Sequence, residues 1–168
     1  MNLKFTLILI IFLKFSTAFS QEKISVAIVG SDTYIETYSK SYYNSELSLD
    51  KAYRLGPGAL STLKQGIKKA IEWSTLNETH QKGFEKEICR FKVMKKELYK
   101  FHGYVDGFTS EMTLLFKGYE DGSFDLVIRP YNSSFDKFIE FNDKGMVKKF
   151  NNLLHGKSAN KEIDDIFN

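Results

Sequence analysis

The chain reads as a single α+β domain: an antiparallel β-meander with one long central helix and a C-terminal helix packed on the sheet. Three observations predict it. Apolar and small residues recur at helical spacing from Leu60 to Ser74 and again from Met146 to Leu154, while the segments around them alternate with a period of two. Glu120-Asp121-Gly122-Ser123 separates two alternating segments as a hairpin turn would. Only two prolines, Pro57 and Pro130, occur, and no Ser/Gly/Pro-rich linker or repeat divides the chain.

The first element is not part of that domain. Asn2 and Lys4 precede an almost unbroken apolar run from Phe5 to Leu13, and Ala18 and Ser20 are small residues at −3 and −1 of a cut before Gln21. This is the pattern of a secretory signal peptide, residues 1–20, with cleavage expected between Ser20 and Gln21. The run is too short for a spanning helix, which needs about 20 apolar residues. The expectation is a secreted or periplasmic chain with no membrane span after cleavage.

Lys23 to Val29 alternates Ile24, Val26 and Ile28 against Ser25, Ala27 and Val29, a strand ended by Gly30-Ser31-Asp32. Tyr34 to Tyr43, rich in Tyr, Thr and Ile, suits a second extended segment. Leu47 to Leu55 fits either helix or strand. Gly56-Pro57-Gly58 then starts a helix over residues 59–81, with Leu60, Leu63, Ile67, Ala70, Ile71 and Ser74 on one face. Gly83 suits a left-handed cap, and Gly66 inside the helix permits a close approach to the sheet.

Strands follow at 84–95, 111–119, 123–130 and 135–141. A three-residue hairpin loop with Gly122 in a left-handed bulge pairs Tyr119 with Ser123. It places Phe116 opposite Leu126, Leu114 opposite Ile128 and Met112 opposite Pro130, whereas a one-residue slip scatters the apolar residues over both faces. Pro130 implies an edge or a strand end. Asn142-Asp143 can cap a second helix carrying Met146, Val147, Phe150, Leu153 and Leu154 on one stripe, stopped by Gly156. The domain thus spans residues 21–156, and 157–168 reads as a loosely ordered tail.

Composition narrows the function. The chain has 24 basic and 21 acidic residues; removing Lys4 and Lys14 with the signal leaves 22 basic residues, a net charge of +1. Such a chain, with Arg54, Arg90 and Arg129 as its only arginines, is a poor nucleic-acid binder. The single cysteine, Cys89, cannot form an internal disulfide, so packing must hold the fold. Alternation groups Cys89 with Phe91 and Val93, as a small buried hydrophobe rather than a nucleophile.

Catalytic signatures are missing: there is no G-x-S-x-G elbow, no H-E-x-x-H and no P-loop. Gly56-Pro57-Gly58 lacks the Lys-Ser/Thr ending of a phosphate cradle. His155, just before Gly156, suits the free carbonyls of a helix end. His102 and Asp106 alone leave a metal site incomplete, so neither a metal nor another cofactor is expected. Tyr34, Tyr38, Tyr42, Tyr43 and Tyr53 are five of the nine tyrosines, crowded near the start of the domain. On an exposed strand face such rings stack on sugars or bury a peptide; in the interior they are ordinary cross-strand packing. Asn77-Glu78-Thr79 and Asn132-Ser133-Ser134 are glycosylation sequons.

These features point to an exported, non-enzymatic binding module for a glycan or a protein, with Tyr34, Tyr38, Tyr42 and His102 as candidate ligand-binding residues. The alternative is a small secreted hydrolase using carboxylates or His102.

Overall fold

The computed structural model describes residues 23–41, 44–99, 103–133 and 136–156. Among them, seven strands form one antiparallel sheet in chain order, with two helices packed against it. The strands are β1 (Lys23–Val29), β2 (Asp32–Ser41), β3 (Asn44–Leu55), β4 (Phe84–Tyr99), β5 (Gly103–Gly118), β6 (Phe124–Pro130) and β7 (Ile139–Phe141). Helix α1 (Pro57–His80) joins β3 to β4, and α2 (Lys144–Leu154) follows β7. The α+β meander expected from the sequence is therefore the observed architecture. The segment 47–55, which fitted helix or strand alike, lies within β3. Its Ala52, Tyr53 and Leu55 are buried against neighbouring strands, and pairing with β2 decides the conformation.

β1 and β2 join through Gly30-Ser31, with Gly30 at φ 61 in the first central position, where a type II′ turn needs it. Their register runs without a shift from Lys23↔Tyr38 to Val29↔Asp32. Ile24, Val26 and Ile28 therefore share the inward face with Thr37, Ile35 and Thr33. By contrast, among the described residues β3 and β4 pair only through Tyr53↔Lys95 and Arg54↔Met94. Helix α2 touches α1 and also both β1 and β7, so the sheet curls about the helices and leaves its other face outward.

α1 starts with Pro57, whose missing N–H would be unpaired in any first turn. It buries Leu63, Gly66, Ile67, Ala70, Ser74 and Asn77, continuing the predicted stripe by one turn. The left-handed C-terminal position falls on Gln81 (φ 50), not on Gly83. Gln81 N–H still donates to Asn77 O at 2.8 Å, the last helical bond, and the left-handed backbone at Gln81 ends the helix two residues before the glycine.

Gly66 marks the closest approach. A Cβ built there would lie 2.7 Å from Cys89 Sγ and 2.8 Å from Leu114 Cδ2. The register of β4 on β5 shifts between Glu87 and Cys89, a bulge that simple alternation did not foresee. Before it, Phe84 and Lys86 stand opposite Gly118 and Phe116; after it, Cys89 and Phe91 stand opposite Leu114 and Met112. Both segments thus face α1. Phe116 is stacked between Phe84 and Phe124, with centroids 5.5 and 5.4 Å away, and Trp73 meets Phe84 and Phe116 edge-on.

The β5–β6 hairpin has the register expected: Met112↔Pro130, Leu114↔Ile128 and Phe116↔Leu126. Tyr119 N–H donates to Ser123 O at 2.9 Å, and Gly122 has φ 85. Pro130 is the last residue of β6. Asp143 caps α2 by accepting from Met146 N–H at 2.8 Å, and Gly156 follows at φ 71. Val147, Phe150 and Leu154 form the buried stripe of α2, but Met146 is exposed because the helix turns that position away from the sheet.

Candidate binding surface

The site grows from β2's alternation. Thr33, Ile35 and Thr37 point inward and are fully buried, so Asp32, Tyr34, Glu36 and Tyr38 stand on the outward face, all partly exposed. Register sets their neighbours. Tyr34 lies between Ala27 and Arg54, Glu36 between Ser25 and Ala52, and Tyr38 between Lys23 and Leu49. Four residues of strand separate the two tyrosines by about 13 Å along β2. The residues between and beside them are small or acidic: Ala27, Ser25, Ala52 and Glu36.

Glu36 is braced. Tyr38 OH donates to Glu36 Oε2 at 2.6 Å, and this bond, followed by burial and the carboxylate's charge, pushes the phenol up to about 12. The Tyr38 ring also has the Lys23 ammonium 5.7 Å from its centroid. At the other end of the row, Arg54 pairs with Asp32 at 3.2 Å and its second terminal nitrogen donates to Met94 Sδ at 3.1 Å. The result is a platform of two phenol rings around a fixed carboxylate, with a cation at each end. Such a set holds hydroxyl groups, amides and ring faces by contact.

Of the candidate residues, Tyr34 and Tyr38 share this face; Tyr42 and His102 lie outside the described residues. Tyr53 is on the opposite face, only 7% exposed, edge-on to Phe138 at 4.5 Å. Burial, then the charges of Asp136 and Asp50, raises its phenol above the ordinary value. Five clustered tyrosines are therefore not one surface. Sequence reading missed Glu36, Lys23 and Arg54; the available signal was Glu36's place midway between two same-face tyrosines.

The glycine-rich run after His102 reads in the sequence as a glycine-turned connection between strands, but Gly103 to Phe108 belongs to β5, and Tyr99↔Gly103 is the last pair before the connection. Cys89 is half-buried under α1, its Sγ 3.8 Å from Thr62 O. Burial first and the charge of Glu87 second push its thiol up to about 11, against a smaller opposing effect of Lys69. It stays protonated at neutral pH and is a poor nucleophile. His155 Nδ1 lies 2.8 Å from Asn151 O at the end of α2, as its position before Gly156 suggested. Among the described residues, no three His, Cys, Asp or Glu side chains come together as a metal site, and no helix is long and apolar enough to cross a membrane.

The two sequon asparagines differ. Asn132 is exposed in the turn after β6, while Asn77 is 2% exposed. Asn77 Nδ2 donates to Tyr119 O at 3.0 Å and Ser123 O at 2.8 Å, and its Oδ1 accepts from Lys82 N–H at 3.2 Å. It ties the end of α1 to the β5–β6 hairpin.

Compared with family models, with curated proteins and with solved structures, the chain gives no match.

Proposed function

We propose that the protein is an exported, non-enzymatic binding module whose contact surface is the outward face of β1–β3, and whose ligand is a glycan or a protein. The observation that carries this reading is the Tyr34–Glu36–Tyr38 row on the face away from the helices. Rigid aromatic rings around a fixed acceptor give contact area at little cost in side-chain freedom. The signal-peptide pattern of residues 1–20, with its apolar run from Phe5 to Leu13, supports export, and a half-buried, protonated Cys89 with paired carboxylates at Glu36 and Glu87 supports recognition over catalysis.

The test is a screen of the protein against immobilised glycans and extracellular or envelope proteins, repeated with the Tyr34→Ser/Tyr38→Ser variant. The variant is expected to melt like the parent and to bind the retained ligand at least about tenfold more weakly. Unchanged affinity in the variant would remove the tyrosine row from the binding surface.

A further inference from the structure

β1 is an edge strand, and it carries none of the usual guards. From Ile24 to Val29 it has no charged residue and no proline, and its register with β2 contains no bulge. The two-residue turn at Gly30-Ser31 makes Val29↔Asp32 a hydrogen-bonded pair. Bonded pairs alternate along an antiparallel ladder. Ser25 and Ala27 therefore bond inward to β2, while the N–H and C=O groups of Ile24, Val26 and Ile28 point out from the sheet edge. No described strand lies on that side. Ile28, inward-facing in register, is nevertheless 51% exposed at the strand's end.

The strand is also complementary to itself. An antiparallel copy centred on Val26 places Val26 opposite Val26, and Ile24 opposite Ile28 of the second copy. Those are the three residues whose backbone groups face outward, so hydrogen bonds and apolar contacts coincide in one register. Ser25 then meets Ala27, and Lys23 meets Val29 rather than another charge. A slip by one residue would set the apolar row against the outward row. We infer that β1 pairs with β1 of a second copy about a two-fold axis at Val26, continuing the sheet across two chains. The exposed Ile28 of each copy is covered by Ile24 of the other, and both helical layers lie on one side. The tyrosine platforms come side by side on the other face. This inference stands independently of what those platforms bind.

Light-scattering mass measurement behind gel filtration, at micromolar and at near-millimolar concentration, tests the pairing. The protein is expected to move toward twice the monomer mass as concentration rises, with amide exchange at Ile24, Val26 and Ile28 slowing in parallel. Ile28→Lys and Ala27→Lys, both at exposed positions, should each leave the melting of the monomer unchanged and hold the chain at monomer mass. A wild-type chain that stays monomeric at the highest concentration overturns the inference. So does a dimer that both lysine variants retain. Doubling of mass only after residues 157–168 are removed also overturns it, since it would make the chain's own tail the occupant of the edge.

Discussion

Between α1 and strands β4 to β6 the interior is mainly aromatic and aliphatic, and its buried polar groups, Ser74 and Asn77, are hydrogen-bonded. Phe84, Phe116 and Phe124 stack in a row, Trp73 closes one end, and Leu114 touches the helix at Gly66. Beneath β2 the inward row reads Thr33, Ile35, Thr37. Both threonine hydroxyls are buried with no hydrogen-bond partner among the described residues. Among the described residues the two regions share a β3–β4 backbone seam of two residue pairs, and Ile35, Tyr53 and Leu55 join the core under α1 from the β2–β3 side. The contrast teaches that the region carrying the tyrosine platform is not the one that secures the fold. Packing energy is concentrated around α1, and the β1–β3 hairpins rest on it with polar atoms left unsatisfied inside.

Four measurements would break or sharpen that contrast. The largest effect is expected from Phe116→Ala, which opens a cavity among three aromatic neighbours and should lower stability by about 3–5 kcal/mol in urea unfolding. A loss below ~1 kcal/mol would show that the aromatic row is not the main anchor. Asn77→Ala comes next. It removes the donors that tie Tyr119 O and Ser123 O to α1, leaving each carbonyl only its backbone partner within the hairpin, and strands the Lys82 N–H; a loss of about 1–3 kcal/mol is expected. Thr33→Val and Thr37→Val reverse the sign: each keeps the side-chain shape, removes an unsatisfied hydroxyl and should raise stability by about 1 kcal/mol. If either instead destabilises, that hydroxyl has a partner in solution and the β2 interior is better satisfied than it looks.

The smallest effect is one of pH. Tyr38, bonded to Glu36, and Tyr119, whose OH lies 2.5 Å from Asp125 Oδ2, each titrate at about 12 when folded, against 10.0 ordinarily. Between those values the folded state keeps protons that the unfolded chain has lost, so this stabilisation is complete below pH 10 and fades as pH climbs toward 12. Tyr38→Phe and Tyr119→Phe should each flatten the decline in stability over that range, and should remove one late-titrating phenol from the ultraviolet absorbance curve.

Much of the fold was legible because apolar spacing and turn chemistry agree. The β5–β6 register followed from asking which loop puts Leu114 and Phe116 opposite Ile128 and Leu126. Asp143 announced its cap by position. Three features escaped for physical reasons. The bulge at Glu87–Cys89 depends on how β4 fits β5 and α1, and Lys86 at an inward place looks wrong until its ammonium is found 5.7 Å from the Trp73 ring centroid. β3 could not be told from a helix because Leu47 to Leu55 carries both periods. The end of α1 fell at Gln81 because Asn77, not Gly83, organises it. Of the candidate surface, the tyrosines were visible in composition, but their division between two faces required the strand boundaries. Asn77 lay three residues beyond Ser74 on the same helical stripe, which was signal enough to read it as an interior group.

That asparagine has a consequence for how the chain can be made. Oligosaccharyl transfer in a eukaryotic secretory pathway acts on nascent chains as they emerge, before Asn77 is covered. A sugar placed on Nδ2 then would replace one of the two hydrogens that donate to Tyr119 O and Ser123 O, and its bulk would stand at a side chain that is buried when the hairpin packs on the helix. Thr79, exposed and bonded only to Thr75 O among the described residues, completes the acceptor sequence without taking part in that closure. Thr79→Ala would therefore leave Asn77 bare in such a host, with Asn132, exposed in the turn after β6, as the remaining sequon asparagine.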